Sequence, residues 1–208
     1  MIDPQRIAEA AARGVVEEGL DYAAAKRKAV RQLGGGPRTP LPTNVAVEEA
    51  VRDYLAIFCT EEQPPLLRVL RELAAQWMQR LHAWQPLLTG AVWRGTATRH
   101  SDVHLHLYCD DPKTAEFSLL DLRYDFEAHE QAGPSGEDLT VLSTLVTPRD
   151  ERWPAGQGVW VHLTLHPLDD IRGALKPDAQ GERAFADLAA LQTLLDAPPP
   201  PMDGADPL

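Results

Sequence analysis

Cysteine is almost missing from this chain: its 208 residues hold two, Cys59 and Cys109. That excludes a disulfide framework and a zinc site built from four thiolates, and it makes a reducing cytoplasm the expected compartment. No apolar run approaches the ~20 residues needed to cross a bilayer, and the opening MIDPQR lacks the basic-then-apolar layout of a signal peptide. No membrane partner is therefore expected. Positive charge is scarce as well, with 20 Lys+Arg against 31 Asp+Glu and a net charge of -11. Cations supply most of the affinity for a polyanion, so bulk nucleic-acid binding is not expected, although a local phosphate site is not excluded. What is present is ordinary. A hydrophobic share of 44% and a charged share of 25% describe a globular protein, and the length suits one domain or a compact one with an extra lobe.

The charge is unevenly placed. Residues 1–89 are balanced, and the whole excess of -11 falls from Gly90 onward. The balanced half reads as helical. Asp3-Pro4 predicts a helix start followed by Gln5 to Glu18, which Gly19 closes. Asp21 starts a second helix from Tyr22 to Leu33, which Gly34-Gly35-Gly36 ends. The Gly- and Pro-rich stretch Gly34 to Thr43 reads as a linker or long loop. A third helix is predicted from Asn44 to Phe58 and a fourth from Pro65 to Trp84. In the fourth, Leu66, Leu70, Leu73, Trp77, Leu81 and Trp84 recur in steps of three and four.

The second half changes period. Strands are predicted over Leu88–Trp93, Val103–Tyr108, Glu116–Phe126, Leu139–Val146 and Val159–His166. Val103, Leu105 and Leu107 alternate with Asp102, His104, His106 and Tyr108, giving one apolar face and one ionisable face. Val159, Val161, Leu163 and Leu165 repeat the pattern against Trp160, His162, Thr164 and His166. A last helix is predicted from Glu182 to Asp196, followed by a Pro-rich tail with no apolar period, expected to be disordered.

The most specific segment is Leu88 to Tyr108, LTGAVWRGTATRHSDVHLHLY. Here Gly90-Ala91 is followed about ten residues later by Ser101-Asp102-Val103-His104 at the head of a strand. This resembles the signature of the nucleotidyltransferase superfamily, the DNA polymerase β-like fold, in which a Gly-Ser or Gly-Gly turn precedes Asp-x-Asp on a strand. The resemblance is close over about twenty residues, loose through His166, and does not extend to residues 1–60. It implies an α+β protein with a nucleotidyltransferase-like mixed β-sheet flanked by helices. The expected division is a helical N-terminal lobe (1–60), the nucleotidyltransferase-like domain (61–196) and the tail (197–208). It also implies a metal-dependent site, with backbone amides after a small residue approaching a triphosphate. Two carboxylates at i and i+2 on one strand face would hold divalent ions that activate the attacking hydroxyl and stabilise the leaving pyrophosphate.

The residues depart from that pattern where it bears on chemistry. Ala91 stands in place of Ser or Gly, and His104 in place of the second Asp. On Leu139–Val146 the inward position is Leu139 or Thr140, with Asp138 at the edge, and on Val159–His166 it is His162, so the usual third carboxylate is missing. Mg²⁺ prefers oxygen ligands, and imidazole is a poor substitute. Three readings of Asp102 stay open. It belongs to a decayed catalytic centre, a pseudoenzyme acting by nucleotide or protein binding. It is the surviving catalytic residue and metal ligand of an active transferase that moves a nucleotide onto a small molecule or protein, with an altered metal site or with acids placed elsewhere, such as Asp121 or Asp125. Or the resemblance is accidental and Asp102 caps a turn.

If the strands carrying His104 and His162 are neighbours, Asp102, His104 and His162 converge as one carboxylate and two imidazoles, a set suited to a transition metal and not to Mg²⁺. Otherwise these histidines are polar residues on a solvated sheet face, with His106 partly in the core. Gly90, Ala91, Arg94, Arg99 and Ser101 are the candidate nucleotide-binding residues, and Lys176 is a further candidate phosphate contact. Such cations are more often surface ion-pair partners. The expected partners are a nucleotide and a protein, the latter including a second copy in a homodimer. A rival reading takes Arg6 to Leu33, with Lys26, Arg27, Lys28 and Arg31 in its second helix, as the start of a helix-turn-helix DNA binder. Against that stand the displaced third helix and the acidic charge.

Overall fold

Short capping side chains start most of the helices. Asp3 accepts from the Gln5 amide, Asp21 from the Ala24 amide and Thr43 from the Ala46 amide. These caps begin α1 (Pro4–Glu18), α2 (Tyr22–Gln32) and α3 (Asn44–Phe58). The computed structural model describes residues 2–122, 124–133, 136–174, 176 and 183–197. The expected Pro-rich tail lies outside the described residues beyond Ala197. α1 packs on both α2 and α3, and Ile7, Ala8, Ala11, Ala12, Ala29, Val47 and Val51 form a buried cluster of their own. The alanines let the three helices approach closely. Two of the cations in α2 are occupied here. Lys26 donates to the Pro42 carbonyl and to Asn44, and Lys28 pairs with Glu18.

A second and larger cluster surrounds α4 (Gln63–Arg80). Its stripe of Leu70, Leu73, Trp77 and Met78 is buried against the apolar face of a five-stranded sheet. The expected helix to Trp84 gives way after Arg80 to a 3₁₀ turn, His82–Trp84. The strands are β1 (Leu87–Thr89), β2 (Val103–Cys109), β3 (Glu127–Ala132), β4 (Asp138–Val146) and β5 (Val159–Pro167). They lie in the order β1-β2-β5-β4-β3. β2 and β5 run parallel and the other neighbours antiparallel. The chain is thus a mixed α+β protein whose sheet is flanked by helices, as the expected fold class requires.

Two predicted strands are corrected. Extended structure after Leu88 ends at Thr89, because Gly90 takes φ +72° and turns the chain into α5 (Gly90–Arg94). The stretch Glu116–Phe126 is not a strand. Asp111 caps a helix opened by Pro112, α6 (Pro112–Leu120), and this local start signal outweighs the apolar run inside it. The edge strand opposite β1 is β3, whose side chains are all exposed and polar or small, so no alternation announces it. After β5 come a 3₁₀ turn, Leu168–Asp170, and α7 (Ile171–Ala174). The last helix, α8 (Leu188–Asp196), starts later than expected, at the Asp187 cap. Glu182 is outside the described residues, and Ala186 instead bridges to Leu88 at the sheet edge.

Candidate functional site

β2 buries three alternate aliphatic residues and β5 buries four. Val103, Leu105 and Leu107 on one, and Val159, Val161, Leu163 and Leu165 on the other, are at most 1% exposed. Strand geometry then turns His104, His106 and Tyr108, with Trp160, His162, Thr164 and His166, to the opposite face. The parallel register aligns His104 with His162. Antiparallel pairing on either side adds Thr89 of β1 beside His104 and Ser143 of β4 beside His162.

Asp102 stands one residue before β2 and leans toward β5. Its Oδ1 accepts from the Trp160 amide at 3.4 Å, and its Oδ2 lies 3.5 Å from His162 Nε2. The other ring nitrogen, His162 Nδ1, shares a hydrogen bond with Ser143 Oγ at 2.8 Å. The His104 and His162 rings stack at 4.7 Å between centroids and 20° between planes. One donor atom from each of Asp102, His104 and His162 falls within 4.8 Å of the other two. His104 is exposed, and Asp102 and His162 are half-buried. Desolvation by the surrounding protein, and then the His162 imidazole, lower the His104 pKa, with Asp102 opposing. Its ring is neutral at pH 7 and free to act as a nitrogen donor.

The row of imidazoles continues along the strands. His106 stacks on His166 at 4.5 Å, and Tyr108 stacks on His166 at 5.2 Å. Phe185, carried by the segment that bridges to β1, meets the His106 ring at 4.9 Å. Desolvation and then the His166 and His104 charges hold the His106 pKa down to about 3. Burial first, and Asp170 second, push the Tyr108 phenol up to about 12.

The other residues singled out in the sequence are distributed as follows. Gly90 is beside the cluster: a Cβ there would stand 3.6 Å from His104 Cδ2. Ala91 packs against the main core, and its carbonyl accepts from the Thr96 amide. Arg94 extends to the helical lobe and pairs with Glu48 at 2.6 Å. Ser101 Oγ accepts from the Thr98 amide at 2.9 Å, which closes the loop leading into Asp102. The Arg99 guanidinium is exposed and donates to the neighbouring His100 ring. Lys176 is exposed, and no described contact brings it to Asp102. Asp121 caps the end of α6 and Asp125 is exposed before β3, so neither joins Asp102.

Ser143 was not among the expected residues, which placed Leu139 or Thr140 inward on its strand. The β4–β5 register pairs Ser143 with His162. Period-2 alternation groups Leu139, Val141 and Ser143 on one face, but only the pairing says which of them meets the imidazole. A cavity of about 820 Å³ also opens on the helical lobe, between Arg13, Glu17, Tyr54 and Phe58, away from this cluster.

No protein-family model and no curated protein matches the chain. Among solved structures it is similar to Cid1, described as having RNA terminal uridylyl transferase activity, at 12% identity and a TM-score of 0.29. The match takes in 46% of this chain and 30% of that one, too slight a likeness to bear on function. The fold and the cluster together define a mixed α+β protein with one carboxylate and two imidazoles on the open face of its parallel strand pair.

Proposed function

We propose that this chain is a divergent member of the nucleotidyltransferase superfamily that no longer transfers nucleotides and acts by binding a nucleotide or a protein partner. The observation that supports this reading is the β2–β5 register. It sets His104 and His162 beside Asp102, where the resemblance implies further carboxylates. A two-metal transfer reaction needs several hard oxygen donors to hold Mg²⁺ against the charge of a triphosphate. Among the described residues, the group of three or more donors within ligand distance contains a single carboxylate. Gly90, where the resemblance implies backbone approach to phosphates, stands beside this cluster: a Cβ there would lie 3.6 Å from His104 Cδ2.

The test is incubation of the purified chain with labelled nucleoside triphosphates, Mg²⁺ or Mn²⁺, and cell lysate. No label is expected to enter protein or small molecules above a heat-treated control. Transfer that disappears in Asp102→Ala would overturn the reading and make Asp102 the surviving ligand of an active transferase.

A further inference from the structure

We propose that Asp102, His104 and His162 bind one first-row transition metal ion, with Zn²⁺ the best-matched. Two ligands of a tetrahedral zinc ion, each about 2.0–2.1 Å from the metal, stand about 3.3 Å apart. Asp102 Oδ2 and His162 Nε2 are already 3.5 Å apart. The third donor is within 4.8 Å, a gap that a small rotation of the exposed His104 side chain closes. Gly90, which stands beside its Cδ2, has no side chain to obstruct the movement. The donor chemistry agrees with the geometry, since mixed imidazole and carboxylate sets suit zinc, while Mg²⁺ takes oxygen.

The supporting contacts are also those of a metal site. A ligating histidine is generally oriented by a hydrogen bond to its other nitrogen. Ser143 Oγ makes that bond to His162 Nδ1, which leaves Nε2 directed at Asp102. The Trp160 amide in turn holds the other oxygen of Asp102. Both histidines stand on paired core strands whose opposite faces are fully buried, so their spacing is set by the sheet. Three protein donors leave a coordination position for water or an anionic oxygen. The ion would thereby supply the local positive charge that this acidic half of the chain otherwise has little of.

The proposal shares its site with the function proposed above but is tested apart from it. Untagged protein is stripped with a chelator, and Zn²⁺ binding is followed by calorimetry and elemental analysis after gel filtration. Co²⁺ serves as a spectroscopic substitute. One equivalent per chain is expected, with the intense visible absorption of a four-coordinate Co²⁺ site. Asp102→Ala and His104→Ala should each weaken binding by roughly 100-fold or more, and Ser143→Ala by about 10-fold. His129→Ala, on exposed β3, should leave it unchanged. Circular dichroism checks that each variant is folded, and His104→Gln replaces any alanine variant that is not. Folded wild-type protein that retains neither ion, or a folded His104 variant that binds like wild type, would overturn the site. The two proposals fail separately: absence of metal leaves the non-transferase reading intact, and transfer activity leaves the metal site intact.

Discussion

His166 is the residue whose surroundings carry the clearest consequence for pH. It is 6% exposed, and its Nε2 has no hydrogen-bond partner among the described residues. Tyr108 and His106 stack on it, and Asp170 and Glu137 face it with negative charge. Burial outweighs those acids and lowers its pKa. Below about pH 6.5, the ordinary histidine value, the unfolded chain therefore binds a proton that the folded chain resists. Stability from this group is fully present above pH 6.5 and falls as the pH drops. Replacing it by Phe keeps a ring in the stack and removes the titration. Urea unfolding of His166→Phe between pH 7 and pH 5 should show a shallower fall in stability than wild type, and an unchanged slope would remove His166 from the account. The alternating His pattern already put His166 on the ionisable face. Its burial was not legible, because the rings stacked on it, His106 and Tyr108, come from β2, about 60 residues earlier in the chain.

At the level of elements, Gly19 joins two tasks. It ends α1 at φ +69°, and a Cβ placed there would come within 2.8 Å of His100 Cβ in the loop before β2. Gly19→Ala therefore combines left-handed backbone strain with a clash against a side-chain stem, and should destabilise the fold by about 1–2 kcal/mol or more. Gly36→Ala has nothing within 4 Å and should stay within about 0.5 kcal/mol of wild type. Chemical denaturation of both variants checks the contrast. Gly19 was readable as a helix stop, while its role as a contact point was not. Helix ends written in Asp, Pro and Gly were read well, as α1 illustrates. The larger errors fell on α5, α6 and β3, where Gly90 turned a predicted strand into a helix, where a local cap opposed an apolar run, and where an edge strand needed no apolar face.

Across the whole molecule, the two apolar clusters are joined by a polar link centred on Glu48. This carboxylate of α3 is 6% exposed and holds Arg52 of its own helix and Arg94 of α5. Truncating Arg94 to Ala leaves a buried charge with one partner fewer and should lower stability by about 1–3 kcal/mol. Adding Glu48→Met removes the stranded charge, so the double variant should recover most of that loss, as read from urea midpoints. A double variant no more stable than Arg94→Ala would show that the pair does not couple the lobe to the sheet. The sequence offered Arg94 as a phosphate contact because an acidic domain needs local cations to hold a triphosphate. Its partner is 46 residues away, beyond the reach of any local pattern.

The sequence by itself determined the helical first half, the two-faced strands β2 and β5, and a histidine, not a second carboxylate, two residues after Asp102. All of these are written in short-range periodicity, capping and motif spacing. Only the tertiary structure decided that β2 and β5 are parallel neighbours, that Ser143 rather than Leu139 meets His162, and that Asp102 turns toward the second imidazole. Strand pairing joins residues about 60 positions apart through backbone hydrogen bonds that any side chain permits. The cluster therefore exists in the register of the sheet and in no segment of the chain.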